Sequence, residues 1–229
     1  MGRLKMNKKK VLTKHLARLE KGKLKGIGKK ILLLACLASV SAISNAYIMG
    51  GCVTGGDVWN SNNCKFDVLD TSPLVDKNGG SEVGRNDFNN GWLHSFNEQQ
   101  GGWSDTYDQS VSSHYVFFDP LRSKTVEGWV KFDGVILDII MSKNGLKNSE
   151  DEFGLDNVTY DYPRLVGLER RDRLGTSGIG TSYLNIDDWK ASSPGDHVRV
   201  ITQTVSEPGT LLLLGIGIAG LGLCRRSMA

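Results

Sequence analysis

Residues 126–140 read VEGWVKFDGVILDII, and this stretch decides the fold class. Apolar residues dominate both halves, and Asp133-Gly134 between them is a common hairpin dipeptide. The pattern predicts two strands joined at that turn. The residues expected to face the core are Trp129, Val135, Leu137 and Ile139.

Further short apolar runs occur on both sides of this stretch, separated by Gly, Asn, Ser and Asp. Tyr115–Phe118 predicts a strand buried on both faces, and residues 197–202 alternate so that Val198 and Val200 face inward. The other predicted elements are short strands at 158–160 and 183–186, a turn at 194–196 and a helical turn within 142–153. So many short strands predict a mostly β fold, an antiparallel β-sandwich of the jelly-roll type.

Charge is distributed unevenly along the 229 residues, whose formal net charge is +3. Residues 1–30 carry 12 Lys and Arg against one acid, whereas residues 47–207 carry 14 Lys and Arg against 24 Asp and Glu, a net charge of −10. This acidity argues against a nucleic-acid partner, because phosphate binding needs a basic face on the folded domain. An acidic domain suits solubility outside the cell.

The amino-terminal segment has the order of a secretory signal peptide. A long basic region precedes the apolar run 31–40, and small residues follow it. Signal peptidase requires small side chains at positions −3 and −1, which Ser44 and Ala46 supply. Cleavage is therefore predicted between Ala46 and Tyr47. A lipoprotein signal at Cys36 is disfavoured, because only five apolar residues would precede the cysteine.

The last 25 residues form a tail with three parts: a polar motif at 206–208, an apolar glycine-spaced run at 211–224 and a basic end at 225–226. A transmembrane helix needs about 20 residues, so the apolar run is marginal by length alone. Its place before two arginines, which tend to stay cytoplasmic, predicts a membrane helix over 210–224 with a basic stop.

This tail resembles the PEP-CTERM sorting signal, which is recognised by exosortase, a membrane cysteine protease. That family usually carries Pro-Glu-Pro; Glu207 and Pro208 match, and Ser206 stands where the first proline is usual. The apolar run and the basic stop, Arg225 and Arg226, match as well. The resemblance implies that exosortase cuts near the motif and passes the protein to the outer surface or exopolysaccharide matrix. An uncut tail that serves as a single-pass anchor is the alternative.

A second resemblance extends over roughly residues 93–204. The segments 96–100, 113–120, 126–128 with 132–134, and 193–200 are similar to the ectodomain of a recurrent group of PEP-CTERM proteins. The resemblance favours a single ectodomain at 47–204, between a signal peptide at 1–46 and the tail at 205–229. It implies no particular activity.

Of the four cysteines, only Cys52 and Cys64 lie in the predicted ectodomain. Two cysteines of an exported protein with 11 residues between them most simply form one disulfide, and two free thiols are the alternative. Closing a loop of this size contributes about 3 kcal/mol to stability.

The sequence contains no Gly-x-Ser-x-Gly elbow, Walker loop, His-Glu-x-x-His or dinucleotide-binding fingerprint. The ectodomain histidines are His94, His114 and His197. His114 follows Ser113, but adjacent strand residues point to opposite faces and cannot act as a pair. A glycoside hydrolase would need two carboxylates, and the candidates by residue type are Glu98, Asp119, Glu127, Asp133 and Asp138. We predict no catalytic residues and no enzymatic activity, with a secreted polysaccharide hydrolase as the alternative.

Two kinds of binding site suit the loops. Calcium prefers hard oxygen ligands, which cluster at Asp151, Glu152, Asp156 and Asn157, although solvated turns would have the same composition. Exposed aromatic side chains stack on sugars, although tryptophan is often a core residue. The tryptophans in Gly-, Asn- and Asp-rich stretches are Trp59, Trp92, Trp103 and Trp189. No cofactor other than calcium is expected.

Together these patterns predict an exported protein of the cell envelope, the outer surface or the extracellular matrix. Signal peptidase and exosortase are its expected processing enzymes, and the C-terminal helix is expected to lie in the inner membrane, transiently or permanently. The ectodomain is expected to bind carbohydrate such as exopolysaccharide.

Overall fold

The computed structural model describes residues 45–71, 76 and 78–204. The predicted tail and membrane helix lie outside the described residues, and so does the predicted signal peptide up to residue 44. Of the predicted cleavage site, Ala46 and Tyr47 are described. Within the described ranges, no helix has the length and apolar character that a membrane crossing requires.

The described residues form short strands and three short helices. The strands are β1 Ile48–Gly55, β2 Phe66–Val68, β3 Glu82–Val83, β4 Leu93–Asn97, β5 Gly102–Ser104, β6 Gln109–Phe118, β7 Lys124–Phe132, β8 Ile136–Ile140, β9 Thr159–Tyr160, β10 Thr176–Ser177, β11 Tyr183–Ala191 and β12 Asp196–Gln203. The helices are α1 Lys143–Asn148, α2 Glu150–Phe153 and α3 Arg170–Leu174.

Two sheets account for most of these strands. One has the order β1-β7-β11-β10, and the other has the order β2-β4-β6-β12-β8, with β5 paired to β6. Their pairings are antiparallel except that of β2 with β4, and β3 and β9 form a separate parallel pair. The prediction of a mostly β, antiparallel fold is confirmed.

The main core lies between the two sheets. Val130 and Phe132 of β7 pack in the same cluster as Val116 and Phe118 of β6, and Trp189 of β11 is its largest fully buried side chain. Burying each such side chain stabilises the fold by about 1.5–3 kcal/mol. The inner faces of the two sheets thus pack against each other and form the core, as in a β-sandwich.

A second core covers the opposite face of β6. Tyr115 and Phe117 lie there with Phe96, Leu146 of α1 and Tyr160 of β9. Strand β6 is therefore buried on both faces, as predicted for Tyr115–Phe118. Strand β12 is also buried on both faces except at its last residue, although its alternating sequence predicted one exposed face.

The predicted hairpin at Asp133-Gly134 is wrong. Strand β7 pairs with β1 and β11, whereas β8 pairs with β12 in the other sheet. Both strands are apolar enough to need burial, and in opposite sheets they pack toward one core, to which Phe132 and Ile136 both belong. The segment between them therefore crosses from one sheet to the other.

The predicted core positions are right only in part. Ile139 is buried and Leu137 is half-buried, whereas Val135 is exposed and Trp129 is half-buried. Trp129 shares the outer face of β7 with Glu127 and Lys131, because side chains alternate along a strand. Because the two charged side chains must face water, Trp129 faces outward with them and is not part of the core. Its indole packs edge-on against Tyr183.

Candidate functional site

A surface depression of about 340 Å³ lies where β1 leads into the loop before β2. It is lined by Cys52, Val53 and Thr54 and by residues 59–64, and is called the Trp59 depression below. The Trp59 side chain is 53% exposed, although a side chain of this size is usually well covered. An exposed indole beside a concave surface is typical of a ligand-binding site.

Neutral amides surround the indole. Asn60 accepts a hydrogen bond through Oδ1 from the Asn62 N–H at 3.0 Å, and Asn63 accepts one through Oδ1 from the Lys65 N–H at 3.1 Å. Because a backbone N–H can only donate, the side-chain atom that accepts each bond must be the amide oxygen, and the NH₂ group lies on the other side. Both NH₂ groups make no hydrogen bond to another described residue, so they remain available as donors.

A disulfide closes the loop that carries Trp59. Cys52 and Cys64 are bonded, with their Cα atoms 4.5 Å apart. Beside the bridge, the Val53 N–H donates to the Cys64 carbonyl at 2.7 Å. The ends of the loop are therefore held together by one covalent bond and one hydrogen bond.

Replacing both cysteines, C52S with C64S, is expected to lower the free energy of unfolding by about 3 kcal/mol, because the bridge restricts the unfolded chain. Urea unfolding of the oxidised wild-type protein and the double variant measures the difference. Reducing agent should destabilise the wild type by a similar amount and leave the variant unchanged. Equal stabilities of the two proteins would contradict the prediction.

The other predicted sugar-stacking tryptophans lie in different settings. Trp103 on β5 is 62% exposed and donates from Nε1 to Asp105 Oδ1 at 3.2 Å, and Trp92 is half-buried. Trp189 is wholly buried in the main core and donates from Nε1 to the Thr176 hydroxyl at 2.7 Å. The prediction that Trp189 stacks on sugars is wrong, because β11 turns it inward, where Thr176 satisfies its N–H.

The residues predicted to bind calcium lie around α2. Asp151 and Asp156 are exposed and line a surface depression of about 400 Å³. Glu152 accepts hydrogen bonds from the hydroxyls of Ser104 and Thr106, and Asn157 donates from Nδ2 to the Thr71 carbonyl at 2.6 Å. These hydrogen bonds give Glu152 and Asn157 roles in holding the surrounding loops, and calcium binding there stays a prediction.

The carboxylates that converge lie elsewhere in the described part of the chain. Oxygens of Glu169, Asp172 and Asp196 lie within 4.8 Å of one another. Burial raises the pKa of Asp196 to about 8, with a further contribution from the negative charges of Asp172 and Glu169. None of the three was singled out from the sequence.

The buried acids among the hydrolase candidates have structural partners. Glu98 is paired with Arg199 at 2.7 Å, and Asp119 accepts the backbone N–H groups of Asn86 and Phe88 at 3.3 and 3.1 Å. Burial raises the pKa of Asp119, and these N–H bonds oppose the shift. Asp138 accepts the Tyr107 hydroxyl at 2.8 Å, while Glu127 and Asp133 are exposed.

The three histidines are buried. His114 lies between Asn97 Oδ1 at 2.8 Å and Thr202 Oγ1 at 2.9 Å, and burial lowers its pKa to about 3. Burial likewise lowers the pKa of His94 to about 4 and that of His197 to about 3. The folded protein therefore keeps all three uncharged near neutral pH. Ser113 uses its hydroxyl to donate to the Phe153 carbonyl at 3.1 Å.

The family model of the PEP-CTERM protein-sorting motif matches residues 204–226. The chain carries a PEP-CTERM sorting domain. The predicted resemblance of the tail is thereby confirmed, and the motif indicates an exported surface protein that exosortase sorts. Neither a curated protein nor a solved structure matches the chain. The resemblance of the ectodomain to a group of PEP-CTERM proteins stays a prediction.

Two clusters of ionisable side chains in the described domain, each largely buried, escaped prediction. One is Arg199 with Glu98, and the other is the carboxylate group at Glu169, Asp172 and Asp196. The first had a signal in the sequence, because Arg199 stands alone between two valines of a short apolar strand. The second had no such signal. Asp196 lies at least 24 positions after the other two acids, and all three look like ordinary surface residues in the sequence.

Proposed function

We propose that this PEP-CTERM protein is a non-enzymatic component of the cell surface or extracellular matrix that binds carbohydrate in the Trp59 depression. The observation that carries the proposal is the half-exposed Trp59 beside free amide donors in a loop closed by a disulfide. An indole face packs against the C–H face of a sugar ring, and amides bind its hydroxyls. The volume of the depression is within the range of small-ligand sites.

The absence of acids in the depression favours binding over hydrolysis. Its described lining residues are Cys, Val, Thr, Trp, Asn and Ser, none of which ionises near neutral pH. A glycoside hydrolase needs two carboxyl groups about 5–9.5 Å apart on either side of the scissile bond. The buried candidates Glu98 and Asp119 are instead engaged by Arg199 and by backbone N–H groups.

Export also involves the amino-terminal cleavage and the membrane passage of the tail, both of which we include in the proposal. Tyr47 is exposed, and its N–H donates to Asp133 Oδ1 at 2.6 Å. Cleavage after Ala46 would turn this N–H into an ammonium group next to a carboxylate, which favours the cleaved end electrostatically. The apolar run at 211–224 would span the inner membrane until exosortase cuts the chain.

Replacing Trp59 with alanine is expected to weaken carbohydrate binding by about tenfold or more, because stacking supplies on the order of 1.4 kcal/mol. The measurement is affinity electrophoresis of the exported protein in exopolysaccharide purified from its host. W103A is the matched control, since it removes an exposed tryptophan outside the depression, and it should bind like the wild type.

Three outcomes would contradict the proposal. Unchanged binding by W59A would place the sugar elsewhere, and a loss confined to W103A would move it to β5. Release of reducing ends from the exopolysaccharide during incubation would favour the hydrolase alternative.

A further inference from the structure

Three carboxylates from two distant parts of the chain meet at the start of β12. Glu169 immediately precedes α3, Asp172 lies within α3, and Asp196 is the first residue of β12. One oxygen of each lies within 4.8 Å of the others. Side chains separated by more than 20 residues come this close only because the fold brings α3 against the end of the sandwich.

Two of these carboxylates are shielded from water. Asp172 and Asp196 are each only 2% exposed, while Glu169 lies at the surface. Asp172 accepts the Lys190 N–H through Oδ1 at 3.1 Å, which orients its carboxylate. Asp196 Oδ2 is buried and has no hydrogen-bond partner among the described residues. A buried acceptor without a partner costs about 1–3 kcal/mol, and more when it is charged, so this oxygen points to a ligand.

No basic side chain in the described part of the chain neutralises the group. The ion pairs found there within 4.0 Å join His94 to Asp67, Arg171 to Asp188 and Arg199 to Glu98. Carboxylates within 4.8 Å of one another and partly out of water repel strongly when all are ionised, because the screening by solvent is reduced. A positive ion between them would offset this repulsion and favour the ionised form of all three.

The space beside the group suits one small ion. A cavity of about 20 Å³ is lined by Glu169, Asp196, the turn 192–195 and the exposed Lys190, and Asp172 lies next to it, with a carboxylate oxygen within 4.8 Å of those of Glu169 and Asp196. This is room for about one water-sized particle and no larger ligand. Gly195 adopts φ +73° in that turn, and its N–H donates to the Ser192 carbonyl at 2.7 Å, so the backbone beside the cavity is ordered by its own hydrogen bond.

We propose that Glu169, Asp172 and Asp196 bind one calcium ion that ties α3 to the start of β12. The three side chains supply oxygen atoms and no nitrogen or sulfur, which favours a hard cation over zinc or copper. Calcium accepts irregular oxygen coordination by carboxylates, whereas magnesium demands a near-ideal octahedron and is seldom held by a cluster of protein carboxylates alone. This site is distinct from the residues around Asp151 and from the Trp59 depression.

The test uses the full chain, purified in detergent and freed of divalent ions with EDTA. Equilibrium dialysis against radioactive Ca²⁺ gives the stoichiometry, and thermal unfolding with added Ca²⁺ or Mg²⁺ gives the effect on the fold. One bound Ca²⁺ per chain is expected, with a dissociation constant of about 10⁻⁴–10⁻³ M, as in other extracellular calcium modules. Ca²⁺ should raise the melting temperature more than an equal concentration of Mg²⁺.

Three variants locate the site. D196N and E169Q should each weaken Ca²⁺ binding by about tenfold or more, because each removes one charged ligand. D196N should melt no lower than the wild type when both are free of calcium, since it relieves the repulsion, and E169Q changes only an exposed side chain. D156N is the matched control and should bind like the wild type.

Two results would overturn the proposal. The wild type could bind no Ca²⁺ and show no thermal shift up to about 10 mM, a concentration above the weak end of extracellular sites. Alternatively, D156N could lose binding while D196N and E169Q keep it, which would place the ion around α2.

Discussion

Replacing Glu98 with glutamine is expected to destabilise the ectodomain by about 3–5 kcal/mol, because it leaves the Arg199 guanidinium buried without its counter-charge. Both side chains are wholly buried, and two nitrogens of Arg199 contact the two carboxylate oxygens of Glu98 at 2.7 Å each. Such a bidentate pair has the geometry that best offsets the cost of removing two charges from water.

The surroundings of the pair increase the expected effect. Arg199 also donates from Nη1 to the Leu146 carbonyl at 2.9 Å and to the Ser149 hydroxyl at 2.6 Å, which holds α1 to β12. Tyr160 donates its hydroxyl to Glu98 Oε1 at 2.6 Å, and its ring and that of Tyr115 lie about 5.4 and 5.5 Å from the guanidinium carbon. Loss of the carboxylate charge therefore weakens a network that joins three elements.

Urea unfolding of the exported protein measures this effect. E127A, which removes an exposed acid from β7, should change stability by no more than about 0.5 kcal/mol. The double variant E98Q with R199M should be more stable than E98Q alone, since no unpaired charge remains. A loss of less than about 1 kcal/mol in E98Q would show that the buried pair is not needed for the fold.

Changing Glu207 and Pro208 together to alanine is expected to abolish processing of the tail, so that nearly all of the protein stays in the membrane fraction. These are the two positions at which the polar motif agrees with the PEP-CTERM pattern. The apolar run and its basic stop would be unchanged and, under the proposed membrane passage of the tail, would keep the chain in the bilayer. Fractionation of the host cells, followed by immunoblotting, measures the distribution.

The matched control is S206P, which restores the proline usual in the family. It should be processed at least as well as the wild type. Normal surface delivery of the Glu207 and Pro208 double variant would contradict the assigned role of the motif.

The sequence was sufficient to predict the mostly β fold class and the sorting motif of the tail. Short apolar runs bounded by turn residues indicated a sandwich, and the strands at 115–118 and 197–202 lie where they were predicted. The helical turn within 142–153 exists as α1 and α2, and the turn at 194–196 lies at Gly195. These elements depend on local propensity and periodicity, which a sequence carries directly.

Strand partners could not be predicted from local pattern. Strands β7 and β8 are neighbours in the chain and satisfy the hairpin signature, yet they belong to opposite sheets. Strand pairing is decided by the burial of many residues that are distant in the chain, such as Val53, Phe118 and Trp189 of the main core, and a window of fifteen residues does not contain them.

The buried charges were missed for a related reason. Alternation along β12 turns Val198 and Val200 inward and therefore places Arg199 on the outer face of the sheet, which the sequence pattern leaves exposed to water. In the structure, α1 and the second core cover it, so the arginine needs a buried partner and finds one in Glu98, about a hundred positions earlier in the chain. Asp196 is likewise buried, and its carboxylate lies within 4.8 Å of those of Glu169 and Asp172, which are distant from it in the chain.

The central claim is that this protein is exported and then processed at both ends, and intact-mass analysis of the protein isolated from its host tests it most directly. The account predicts a species that begins at Tyr47 and ends near Glu207. A species that begins at Tyr47 and still ends at Ala229 would contradict it, because the tail would then be a permanent anchor and the protein a single-pass membrane protein.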